Sequence, residues 1–201
     1  PAATQSTIFR VLQQWWEHET GTALLYVSTR LATERLAHWL RSCGLPAQAF
    51  HAGLSTSKKL ERLAHFCSPK RSLFVATCAL GMGVDQPEVR LVIHAESPTD
   101  LESYVQEVGR AGRDGQPAQA LWLYQRAQFL ESVADRKQKN PERWDDLKKS
   151  AQEVMKLAEK QRCIPQALQD AFASDVVPES CLWECHCNRC DLRPWLVGPD
   201  R

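Results

Sequence analysis

Short apolar runs alternate with longer amphipathic stretches over the first 125 residues. Ala23-Leu24-Leu25-Tyr26-Val27, Ala47 to Phe50, Leu73-Phe74-Val75-Ala76, Val89 to His94 and Ala118 to Tyr124 each have the length and character of a strand. Continuous apolar runs, rather than alternation, mark strands buried on both faces of a parallel sheet. Between them, four stretches carry helical spacing: Thr4 to Glu19, Thr29 to Ser42, Ser55 to Phe66 and Asp100 to Val108. The first has Ile8, Val11, Leu12, Trp15 and Trp16 on its apolar stripe. The second has Leu31, Leu36, Trp39 and Leu40, with Gly44 past its end. Either Ser55 with Lys58 or Ser57 with Glu61 places a cap at the start of the third. This order predicts an α/β fold with helices on both faces of a parallel sheet.

The pattern changes near Gln125. Arg126 to Lys139 and Glu142 to Lys160 are charged, helix-favouring and strand-poor, with Pro141 where a helix start tolerates it. Gln166 to Phe172 is a third helical stretch, and a cysteine cluster follows. The expected division is therefore 1–125 and 126–201.

Composition narrows the picture. The 201 residues are 43% apolar and 24% charged with a net charge of +1, an ordinary globular chain that is no bulk polyelectrolyte. No stretch has the ~18 apolar residues of a membrane helix, and Pro1 to Arg10 has no signal pattern. Five of the eight cysteines follow residue 160, four of them within ten residues. Without a secretion signal, such clustering favours a metal over disulfides, although disulfides and free thiols remain alternatives. Cys163, Cys181, Cys187 and Cys190 have the spacing of a four-thiolate Zn²⁺ site. Cys185 or His186 could replace a member of that set. Cys43, Cys67 and Cys78 read as ordinary thiols.

The densest chemical feature is Gln106-Glu107-Val108-Gly109-Arg110-Ala111-Gly112-Arg113-Asp114-Gly115. Two arginines three apart, on glycine-rich backbone, suit a nucleotide γ-phosphate. The plainer alternative is a surface loop with solvated arginines. The third strand runs into Thr77 and a loop with Gly81, Gly83 and Asp85, where α/β sheets bind ligands. Ser28-Thr29-Arg30 and His51-Ala52-Gly53 also follow strands, so small polar and donor residues converge on one sheet edge. The tryptophans read mainly as core or interface residues. Lys137, Lys139, Arg143, Lys148, Lys149, Lys156, Lys160 and Arg162 form a basic bias that suits either DNA or a solvated helical face.

Together these stretches resemble the second RecA-like lobe of superfamily 2 helicases, specifically the RecQ family. The matching residues are Leu25 to Arg30, Phe50 to Leu54, Val75 to Asp85, Val89 to His94 and Glu102 to Gly115. The resemblance implies a RecA-like, P-loop NTPase-type lobe followed by a small helical zinc-binding module. It implies that Arg113 contacts the γ-phosphate, with Arg110 beside it or ordering the loop, and that Gln106 couples the loop to the nucleotide. Gly83 and Asp85 join these as nucleotide contacts. Ser28, Arg30, His51 and Thr77 are implied to hold phosphates of a tracked DNA strand, and Cys163, Cys181, Cys187 and Cys190 to hold Zn²⁺. The implied activity is ATP-dependent 3′ to 5′ unwinding of DNA, on single strands and single/double-strand junctions, in a nucleoid or nucleus. No G-x-x-x-x-G-K-[ST] stretch occurs here. ATP and Mg²⁺ would therefore be bound mainly by a first lobe elsewhere, and this chain alone is not expected to hydrolyse ATP. It reads as the end of a short RecQ-like protein or as a truncated form. The competing expectation is a non-catalytic nucleic-acid or protein-binding module derived from such a lobe.

Overall fold

A computed structural model describes residues 2–66, 71–78, 88–159 and 163–172. Five strands form one parallel sheet: β1 (Thr22–Tyr26), β2 (Ala47–Phe50), β3 (Ser72–Ala76), β4 (Val89–His94) and β5 (Gln119–Trp122). Their spatial order is β2-β3-β1-β4-β5. All five predicted strands are present, each shifted by a residue or two at most at its start.

The helices are α1 (Ala2–His18), α2 (Arg30–Ser42), α3 (Thr56–Phe66), α4 (Leu101–Val108), α5 (Arg126–Lys139), α6 (Trp144–Glu159) and α7 (Ile164–Phe172). Pro141–Arg143 forms a 3₁₀ turn leading into α6. Local chemistry sets several ends. The Thr29 hydroxyl accepts the Ala32 N–H at 3.1 Å and caps α2. The Asp100 carboxylate accepts the Ser103 N–H at 2.7 Å and caps α4. Of the two caps proposed for α3, the structure uses Ser55, whose hydroxyl accepts from Lys58. Past α2, Gly44 adopts φ +86°, a left-handed conformation that glycine enters without steric cost.

Successive strand residues face opposite sides of the sheet, so one apolar run supplies two cores. Ala23, Leu25, Leu73, Val75, Leu91 and Ile93 pack with Ile8, Leu12 and Trp16 of α1 and Leu36 and Leu40 of α2. Leu24, Tyr26, Phe74, Ala76 and Val92 face the other way, against Leu54, Leu63 of α3 and Ala111. Trp15 and Trp16 are therefore core residues. A third core joins Leu101 and Tyr104 of α4 to Phe129 of α5 and Ala151, Val154 and Leu157 of α6. The helices after residue 125 thus share their apolar interior with a helix that precedes it.

The topology also fixes where a site can form. The chain leaves β1 by α2 towards β2, and leaves β4 by α4 towards β5. The carboxyl ends of adjacent β1 and β4 are therefore flanked by connections that diverge, and open sheets bind ligands in such crevices.

Candidate nucleotide and nucleic-acid site at the strand ends

Ser28 leaves β1 and meets the carboxylate of Glu96, two residues past β4. The Ser28 N–H donates to Glu96 Oε2 at 2.8 Å, and its hydroxyl donates to the same oxygen. Arg30 is exposed on the first turn of α2. Its guanidinium passes close over Gly53: a Cβ built there would lie 3.2 Å from Arg30 Nη1 and 3.3 Å from His51 Nδ1. The small residue at 53 therefore lets Arg30 and His51 approach each other. His51, at the end of β2, is buried, and its Nε2 lies 2.9 Å from Glu34 Oε1. Carboxylates accept only, so Nε2 is the donor. Its Nδ1 has no hydrogen-bond partner among the described residues. Thr77 follows β3, and its N–H donates to the Phe50 carbonyl at 3.3 Å. The four candidate phosphate contacts thus share one sheet edge, as expected, and two of them carry carboxylate partners that sequence reading missed.

The arginine loop leaves α4 and folds back on the sheet. The Gly112 N–H donates to the Val89 carbonyl at 3.0 Å, and Ala111 packs into the second core. Gly112 has φ +66°, and a Cβ there would meet the Gln116 carbonyl oxygen at 2.8 Å, so conformation and space both require glycine. Arg90 in β4 grips the Asp114 carboxylate with both terminal nitrogens, Nη1 to Oδ1 at 3.0 Å and Nη2 to Oδ2 closer still. This bidentate hydrogen bonding holds the Asp114 carboxyl below the usual carboxylate range. The glycines serve backbone closure here.

The two arginines differ. Arg110 is 9% exposed and lies beside the Tyr26 hydroxyl behind the loop. Arg113 is exposed, and its Nε donates to the Gly109 carbonyl at 3.3 Å. Spacing of three therefore does not present them as an equivalent pair. Gln106 is exposed one turn earlier and donates to Glu102 at 3.1 Å. Burial pushes the Tyr26 hydroxyl pKa well up, against the opposing pull of Arg110. Beneath the loop, His94 Nε2 lies 2.8 Å from Glu107 Oε2, an arrangement that sequence reading also missed.

Gly83, Asp85, Cys181, Cys185, His186, Cys187 and Cys190 lie outside the described residues. Cys163 is half-buried just before α7, with its carbonyl accepting the Ala167 N–H. Cys43 is half-buried and Cys78 exposed, both as free thiols.

A RecA-type parallel sheet with an arginine-bearing loop folded back on it is the architecture of a helicase second lobe. Residues 5–115 match the helicase conserved C-terminal domain, and the chain belongs to that family. Within it, the chain belongs to the RecQ branch. It is 35% identical over 173 residues to the ATP-dependent DNA helicase RecQ of Pasteurella multocida, covering 85% of this chain and 26% of the relative. The Bacillus subtilis RecQ is 37% identical over 144 residues, 68% of this chain and 23% of the relative. The chain therefore spans about a quarter of the length of these relatives. The fold is similar to that of the Escherichia coli DEAD-box protein SrmB in complex with RraA (TM-score 0.54, 24% identity, 59% of this chain and 68% of that one).

Proposed function

We propose that this chain is the C-terminal part of the core of an ATP-dependent 3′ to 5′ DNA helicase of RecQ type. Its lobe closes over ATP and Mg²⁺ held by a first RecA-like lobe. Arg113 supplies the arginine finger, where a fixed cation stabilises charge on the transferring phosphoryl group. Arg110 orders the loop from behind, and Gln106 couples it to the nucleotide together with Gly83 and Asp85. The observation that carries this reading is the contrast between an exposed Arg113 and the pinned loop beneath it. Such a loop loses little entropy when it meets a phosphate.

Ser28, Arg30, His51 and Thr77 hold backbone phosphates of the tracked strand, at junctions as well as on single strands. These contacts position without reading sequence. Arg30 supplies most of the attraction, since Ser28 and His51 already face carboxylates. The lobe spans 1–125 and a helical zinc-binding module spans 126–201. Cys163, Cys181, Cys187 and Cys190 hold Zn²⁺. Four thiolates suit a closed structural site, and Cys163 stands beside a helix whose Ile164, Ala167 and Leu168 already pack on the third core. Zinc when bound supplies folding energy rather than chemistry. Metal analysis of the purified chain should find about one zinc per chain.

The test of the main reading is Arg113→Ala in a protein that joins this chain to its ATP-cradling lobe. DNA-stimulated ATPase should fall by about 10³-fold or more, while single-strand affinity stays near wild type. Unchanged ATPase would remove Arg113 from the mechanism.

A further inference from the structure

His94 ends an apolar strand, Leu91-Val92-Ile93-His94, and is only 1% exposed. A phosphate cannot reach it, and an imidazole buried without a partner would be costly. Its position needs another reason. The Nε2 donates to Glu107 across 2.8 Å, and Glu107 stands on the last turn of α4. The Glu107 carbonyl accepts the Arg110 N–H at 3.3 Å, so this residue marks where helix becomes loop. The Glu107 carboxylate and the Arg110 guanidinium both act on the Tyr26 hydroxyl, so buried Tyr26, His94 and Arg110 and half-buried Glu107 make one polar cluster behind the loop.

The His94 ring is itself fixed on two sides. Tyr26 pairs with it in register across β1 and β4, with ring centroids 5.4 Å apart and planes at 22°. Tyr104 of α4 lies 5.1 Å away on another side. From Tyr104 a file of rings continues through Trp122, Tyr124 and Phe129, at centroid spacings of 5.4, 5.5 and 6.0 Å. Phe129 sits in the core that α5 and α6 build on α4. The same imidazole therefore touches the root of the arginine loop and one end of the packing that carries the helical extension.

We propose that His94 is a positioning residue for the arginine loop. Its bond to Glu107 sets the end of α4, which seats Arg110 inward and leaves Arg113 outward. The inference rests on the reading of Arg113 as the finger only for its kinetic consequence. Its structural consequence stands apart from nucleotide chemistry.

Three variants test it. His94→Phe keeps a ring between the two tyrosines and removes the donor. His94→Gln keeps a donor of similar reach. Glu107→Gln leaves the histidine and removes the charge it faces. In the 201-residue chain, hydrogen exchange at the Gly112 amide should rise about tenfold in His94→Phe, the loss expected for one hydrogen bond to a charged group. Amides of β1 and β3 should hold their wild-type rates, and His94→Gln should recover most of the loop protection. If His94→Phe does not fold, Glu107→Gln must show the same selective rise. Joined to the ATP-cradling lobe, His94→Phe should lower kcat with little change in KM for ATP or in single-strand affinity. Equal loop protection in His94→Phe and wild type would overturn the proposal. So would a rise shared by every sheet amide, or a Gln variant no better than Phe. If Arg113→Ala leaves ATPase intact while the exchange result holds, the finger reading fails and the positioning role stands.

Discussion

The strand ends at β1–β3 and the loop after α4 both place basic and acidic side chains together, but with opposite results. At the strand ends, acids cover donors: Glu96 takes both donors of Ser28, and Glu34 takes the Nε2 of His51. In the loop, acids hold the frame. Asp114 grips Arg90 in the sheet and Glu107 holds His94 beneath it, with Arg113 exposed above. The first arrangement suits a surface whose contacts with a moving strand must be weak and exchangeable. The second suits a cation that must stand at a fixed point when a phosphate arrives.

The pH dependence of the loop should break this contrast most visibly if it is wrong. The folded-state pKa of Asp114 is depressed by its bonds to Arg90. A depressed carboxylate adds stability above its unfolded value, about 3.9, and that contribution is lost as pH falls through the lower folded value. Wild type should therefore be more stable than Asp114→Asn near neutral pH; the gap should begin to narrow below about pH 4 and close only once the pH is under the depressed folded value. Thermal melts of both proteins across that range measure it. A gap in Tm that persists at the acid end would show that the aspartate acts through something other than its charge.

A smaller effect sharpens the other side. Arg30→Ala should weaken single-strand binding uniformly across sequences and reduce the slope of log affinity against log salt by about 1. Titrations of labelled oligonucleotides at several salt concentrations give that slope. An unchanged slope would mean that Arg30 does not neutralise a phosphate.

Much of the fold was legible because buried parallel strands announce themselves as short apolar runs. The helix caps at Thr29, Ser55 and Asp100 are local, and all three lay at a predicted start. Strand order was not legible, since it depends on which crossovers pack, and no local pattern encodes that. Within the site, the arginine loop and the polar strand ends stood out by residue type. Their partners did not. Glu96 lies 68 residues from Ser28, Asp114 lies 24 from Arg90, and Glu34 lies 17 from His51. His94 offered one usable signal, a polar residue closing an apolar strand run. The period of two puts it on the same face as Val92, opposite Ile93 and Ala95. The third core was hidden for a related reason: Phe129 and Leu157 look like parts of a separate helical segment until Leu101 and Tyr104 of α4 are packed against them.

Two arginines three residues apart sit in opposite environments, Arg110 buried and Arg113 exposed. Arg110→Gln and Arg113→Gln, made in the same chain and melted side by side, test that contrast most directly. Arg110 is buried against Tyr26, so its loss should lower Tm by about 2–8 °C, as about 1–2 kcal/mol of buried polar packing would in a chain of this size. Arg113 faces solvent, so its loss should leave Tm within about 1 °C of wild type. Equal shifts in the two variants, or a larger shift for Arg113, would contradict the account.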